Sequence, residues 1–88
     1  MNTQTTLSVY VRNAETVLFE NKAQSVSSFN EKGAFDILPM HANLISLVQK
    51  SLIIREENGK ITTLAIDQGI IHAHDNTVEV FLGIGSKA

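Results

Sequence analysis

Cysteine and tryptophan are absent from this 88-residue chain, and proline occurs once. Without cysteine there can be no disulfide framework and no thiolate metal site. An excess of positive charge is also missing. Seven Lys and Arg stand against nine Asp and Glu, a net charge of −2 with the basic residues scattered. Nucleic-acid binding needs a basic stripe to neutralise phosphates, so that class is excluded. The apolar runs are only a few residues long, far short of the ~20 that a membrane-spanning helix requires. Residues 1–6 have neither a basic region nor an apolar core and do not read as a signal peptide. The expectation is a soluble intracellular protein with no direct membrane insertion. At 43% apolar and 18% charged residues, the chain is too apolar for disorder, and its length suits one domain with one core.

What is present is alternation with period two, the mark of half-buried strands. Leu7, Val9 and Val11 point one way and Ser8, Tyr10 and Arg12 the other. The same pattern recurs at Val17 and Phe19, at Phe35 and Ile37, and at Val78, Val80 and Leu82. No stretch carries a clean helical stripe. Asn58-Gly59 predicts a hairpin turn of type I′, which needs positive φ at both central residues. Asp75-Asn76 predicts a second hairpin, residues 30–33 a polar loop tip, and Asn13-Ala14-Glu15 a short connection. Residues 42–48 read as a strand, with a single helical turn as the alternative. The fold predicted is all-β, a two-layer β-sandwich of about eight to nine short strands, one domain over residues 1–88. Its expected core includes Val9, Val17, Phe19, Phe35, Ile37, Ile54, Leu64, Val78 and Val80.

Few residues offer chemistry. His72 and His74 share one face of a strand, with Asp67 or Asp75 nearby, and form a weak candidate pair for zinc or copper. The spacing predicts no third ligand, so the simpler reading is two partly exposed histidines on a hairpin arm. His41 follows the bend at Pro39 without a nucleophile or an acidic pair around it, which favours packing or an interface over catalysis. The glycines of residues 83–88 match a dinucleotide fingerprint in letters only, because no helix follows to hold a pyrophosphate. Glu56-Glu57 reads as a solvated hairpin end. No catalytic residue and no cofactor is expected.

The order Gly33-Ala34-Phe35-Asp36-Ile37-Leu38-Pro39-Met40-His41-Ala42 resembles the signature of the epsilon subunit of F-type ATP synthases, in its amino-terminal β-sandwich domain. The resemblance extends over roughly residues 5 to 82, through Leu7-Ser8-Val9, Val17-Leu18-Phe19, Gly69-Ile70-Ile71 and Thr77-Val78-Glu79-Val80. It departs where family members usually have Pro-Gly-His-Ala-Pro, since Met40 and Asn43 stand for the glycine and the second proline. Gln68 replaces the first of a glycine pair, and Asp36 stands where the family often has glycine. The chain stops after the last strand, so it resembles short members without the C-terminal helical hairpin, and no ATP binding is expected.

The resemblance implies a non-catalytic central-stalk subunit that links gamma to the c-ring and couples ion translocation to ATP synthesis. Its place would be peripheral, on the cytoplasmic side of the energy-coupling membrane. It implies Glu31, Lys32, Gly33, Ala34 and His41 as the c-ring and gamma contact region, with Asn13 and Ser46 as further gamma contacts. The alternative is a free-standing β-sandwich binding module, a homodimer or a weak metal binder.

Overall fold

The computed structural model describes residues 5–40 and 42–83. They form six strands: β1 (Leu7–Arg12), β2 (Val17–Asn30), β3 (Gly33–Ile37), β4 (Leu44–Glu56), β5 (Ile61–His74) and β6 (Thr77–Leu82). Hydrogen bonding runs in the order β1-β6-β5-β4-β2-β3, and β1 also pairs with β2. Five strands therefore close on themselves, with β3 attached to the outside of β2. Among the described residues only the β1–β6 pairing is parallel. The all-β class agrees with the sequence reading, but among the described residues there are six strands rather than eight or nine.

The difference in number has a physical cause. Strands β2, β4 and β5 run for 14, 13 and 14 residues, and β2 takes part in successive pairings along its length. Residues 17–23 of β2 pair with β1, while residues 26–30 pair with β3. Such a strand must bend, and the register breaks where it does: at Ala23/Ser25 and Ser27/Phe29 against β4, and at Gln49/Lys50 between β4 and β5. A bulge bends a strand and adds twist without ending it. Counted from hydrophobic periodicity, each side of a bulge looks like a separate strand. At the third break Lys50 takes φ of +74°. The residue left unpaired at this break is Asp67 of β5, next to Gln68, while Lys50 on β4 takes the left-handed backbone opposite Ile66. The segment after residue 41 is extended, with β4 beginning at Leu44.

The turns differ from expectation in an instructive way. Asp75 and Asn76 have φ of +47° and +59°, so the left-handed pair of a two-residue hairpin sits there, between His74 and Thr77. At Asn58-Gly59 only Gly59 has positive φ, +95°. The Gly59 N–H donates to Glu56 O, and the Glu56 N–H donates to Lys60 O. This is the three-residue connection that ends in a left-handed glycine bulge. Asn58 Oδ1 accepts from the Lys60 N–H at 2.9 Å, so the asparagine side chain serves the turn without a left-handed backbone.

Leu7, Val9, Val11, Val26, Ile37, Val48, Leu52, Ile54, Ile71, Val78 and Val80 make the buried core with two alanines. Of the sequence-based core, Phe19, Phe35 and Leu64 pack against it partly buried, and Val17 does not join it. Val17 is 49% exposed, because it pairs with Arg12 at the bulged turn end of the β1–β2 hairpin. Glu56 departs the other way. It is only 7% exposed, which overturns its reading as a solvated hairpin end. The alternation that buries Leu52 and Ile54 in β4 carries on two residues further and turns Glu56 inward.

Candidate functional site

Alternation in β4 sends Leu44, Ser46 and Val48 inward, which leaves Ile45 and Leu47 outward at 70% and 72% exposure. The ladder sets Ile45 beside His72, Leu47 beside Ile70, and Ile70 beside Phe81. Tyr10 of β1 lies opposite Glu79 of β6 on the same outer side, and Phe81 and Tyr10 are also exposed. Four adjacent strands thus present one outward strip of large apolar side chains. Sequence reasoning missed Ile45 and Leu47. In a run such as Leu44-Ile45-Ser46-Leu47-Val48 every residue but one is apolar, so composition does not reveal which face is buried. The signal available was the strand reading itself, which puts Ile45 and Leu47 opposite Val48.

Beside this strip lies a groove of about 460 Å³ lined by Asn30, Glu31, Lys32, Ser46, Leu47 and Gln68, among others. Glu31 and Lys32 form the two-residue tip between β2 and β3, and with Gly33 and Ala34 they are exposed. The tip is held by its own sequence, since Asn30 Oδ1 accepts from the Lys32 N–H at 2.8 Å. Asn30 Nδ2 donates to Ser46 Oγ at 3.3 Å, which ties the tip to β4. Ser46 is therefore a support of the groove, while its neighbour Leu47 faces out. Asn13 serves a different purpose. Its Oδ1 accepts from the Glu15 and Thr16 N–H groups at 2.8 Å each, so its side chain is spent on the turn between β1 and β2.

His41 lies outside the described residues, as does the glycine-bearing segment from residue 84 onward. Met40 beside it is informative. It has φ of +68° and is 73% exposed, the backbone that the glycine in Pro-Gly-His-Ala-Pro would adopt without strain. The Met40 N–H donates to Asn76 Oδ1 at 2.6 Å, and Asn76 O accepts from the Ser8 N–H at 2.8 Å. Asn76 thus pins the bend after Pro39 to both the β5–β6 turn and β1. Met40→Gly should raise stability by about 0.5–1 kcal/mol, since relief of the left-handed strain outweighs the entropy of an added glycine. An equal or lower urea midpoint would overturn that assignment.

Asp36, where glycine is frequent in the resembled signature, accepts from Ser27 Oγ at 2.6 Å across the β2–β3 ladder. The pair replaces backbone freedom with a cross-strand bond on the outer face. His72 and His74 do share a face of β5, with ring centroids 4.4 Å apart. Glu79 of β6 stands directly opposite His72.

The family model of the ATP synthase delta/epsilon chain β-sandwich domain matches residues 6–83. The ATP synthase epsilon chain of a Nitratiruptor species is 32% identical over 72 residues, 81% of this chain and 56% of that one. The epsilon chain of Leptospira borgpetersenii is 28% identical over 91% of this chain and 63% of its own length. That of Campylobacter fetus is 31% identical over 88% and 60%. The chain therefore spans less than two-thirds of the length of these relatives. Among solved structures, a chain of the Euglena gracilis mitochondrial ATP synthase, OSCP/F1/c-ring, superposes with a TM-score of 0.82 at 15% identity. The superposition covers 93% of this chain and 53% of that one. A chain of the Tetrahymena thermophila central stalk/c-ring gives 0.72 at 16% identity, covering 86% and 62%. At such identities the superpositions speak for the fold, and the match over residues 6–83 speaks for descent: this chain belongs to the ATP synthase delta/epsilon chain family and carries its β-sandwich domain.

Proposed function

We propose that this chain is a non-catalytic central-stalk part of a rotary F-type ATP synthase, joining gamma to the c-ring so that ion translocation is coupled to ATP synthesis. Its place is peripheral, on the cytoplasmic side of the energy-coupling membrane. Family membership supports the reading, and the observation that carries it is the outward strip of Ile45, Leu47, Ile70 and Phe81 beside the polar tip. Large apolar side chains grouped on one exposed face are the usual mark of a docking surface. We assign the strip to gamma and the exposed tip of Glu31, Lys32, Gly33 and Ala34 to the polar loops of the c-ring. His41 stays in the contact set as the resemblance implies. A strand ring closed around an apolar core suits torque transmission, because close-packed interiors resist deformation.

The test is reconstitution with gamma and the c-ring of the same organism. Replacing both Ile45 and Leu47 by aspartate should weaken gamma binding at least about 100-fold, since each buried side chain contributes about 1.5–3 kcal/mol. The fold should persist, because both positions are exposed in the free chain. Glu31→Ala with Lys32→Ala should spare gamma binding and reduce retention of the c-ring. A wild-type chain that stays a well-behaved monomer with no affinity for gamma would sink the proposal. A stable homodimer formed through the same strip would favour a free-standing module instead.

A further inference from the structure

Bordering the outward strip, where His72 is the ladder neighbour of Ile45 and Glu79 that of Tyr10, the outer face at the β5–β6 turn carries a second constellation. His72 and His74 are two residues apart on β5, and strand geometry sends both rings to one side. Glu79 is the ladder partner of His72 on β6. The candidate ligand atoms of His72, His74 and Glu79 all lie within 4.8 Å of one another. His72 Nδ1 is 3.9 Å from Glu79 Oε1, and His74 Nδ1 is 3.6 Å from Asp75 Oδ2. The three side chains are roughly half-exposed, so solvent reaches them and their rotamers can adjust.

We propose that His72, His74 and Glu79 form a binding site for a divalent transition metal ion of the zinc class. Two imidazoles and one carboxylate are a ligand set that zinc accepts, with a fourth position left to water. Bonds of about 2.0–2.1 Å in a tetrahedron put ligand atoms about 3.3 Å apart. The present separations therefore need only a small inward rotation of exposed side chains, with no backbone movement. The backbone is already set, because His72 and Glu79 face each other within a continuous ladder and the Asp75-Asn76 turn fixes its register. Asp75 adds a carboxylate beside His74, which favours a cation and can orient the ring as partner carboxylates do for ligating histidines. Imidazole and carboxylate together suit zinc, copper and nickel and do not suit calcium, which prefers an all-oxygen shell. A bound ion would clip β5 to β6 next to Asn76, the residue that anchors the Met40 bend. The site does not depend on the proposed coupling role.

The experiment is titration of the untagged full chain with zinc chloride, followed by calorimetry and by the imidazole nitrogen shifts of its histidines. One equivalent of zinc should bind, the His72 and His74 signals should move together, and the melting temperature should rise with zinc concentration, as for any ligand of the folded state. His72→Gln, His74→Gln and Glu79→Gln should each weaken binding at least about tenfold, and His41→Gln should leave it unchanged. No heat and no imidazole shift at millimolar zinc would overturn the site. So would binding that survives all three ligand substitutions or disappears with His41→Gln. The wild-type shifts decide the matter even if a variant fails to fold.

Discussion

Gly69→Ala should cost this domain about 2–3 kcal/mol, near the upper end of what overpacking a close contact exacts. Gly69 is buried in β5, and a Cβ placed there would stand 2.7 Å from the backbone oxygen of Phe81 and 2.7 Å from Leu82 Cδ2. Leu82 could rotate. The oxygen of Phe81 cannot move without pulling β6 away from β5, because Gly69 and Leu82 are ladder partners. In a strand, a glycine with a backbone against it marks such a close approach. With an m-value near 1 kcal/mol/M for a chain this small, the urea midpoint should fall by roughly 2 M. The neighbouring Gln68→Ala, at an exposed position, should stay within about 0.5 kcal/mol. A midpoint unchanged by Gly69→Ala would show that β6 can yield. The same strain would displace Phe81 in the outward strip, next to Leu82 on β6.

The second large effect belongs to Glu56. Its buried side chain accepts from Thr62 Oγ1 in a short hydrogen bond at Oε2, and from Asn21 Nδ2 at 3.4 Å at Oε1. Around it, the β4–β5 turn is tied to β2 where the Glu57 N–H donates to Lys22 O and Gln24 Nε2 donates to Glu57 O. Glu56→Ala should destabilise by about 2–3 kcal/mol, since bonds to a charged acceptor contribute more than neutral ones and two donors lose their partner. A double-mutant cycle with Thr62→Val separates this bond from lost packing. Coupling of about 1 kcal/mol or more is expected, and strictly additive losses would show that the Thr62 bond contributes nothing.

Much of the architecture is legible in the sequence. The alternations at Leu7/Val9/Val11 and Val78/Val80 name their buried face directly, because period two is the only repeat a half-buried strand can have. The Asp75-Asn76 turn and the polar tip at residues 30–33 were legible for the same kind of reason, since few residues tolerate those backbone conformations. The assignment of type I′ geometry to Asn58-Gly59 failed because the dipeptide permits more than one hairpin connection. Which one forms is decided by the register of the strands it joins.

The candidate site was legible only in part. Glu31, Lys32, Gly33 and Ala34 came from a resemblance in motif order, and the structure places these four together at one exposed tip. Ile45 and Leu47 were hidden by a nearly all-apolar segment. Glu79 became a partner of the two histidines only through the β5–β6 register, because residues seven and five apart in sequence carry no metal-ligand spacing by themselves.

The sequence by itself determined an all-β chain, the places of its turns, part of its core and its family signature, since these rest on local backbone preference and on period-two burial. Tertiary structure alone decided that three strands run long through bulges and five close a ring, that Glu56 turns inward, that Gly69 has a backbone against it, and that Glu79 meets His72. Each of those depends on which strand lies beside which, and in what register. That pairing is a non-local choice made by burying the whole core at once, and no local window of residues contains it.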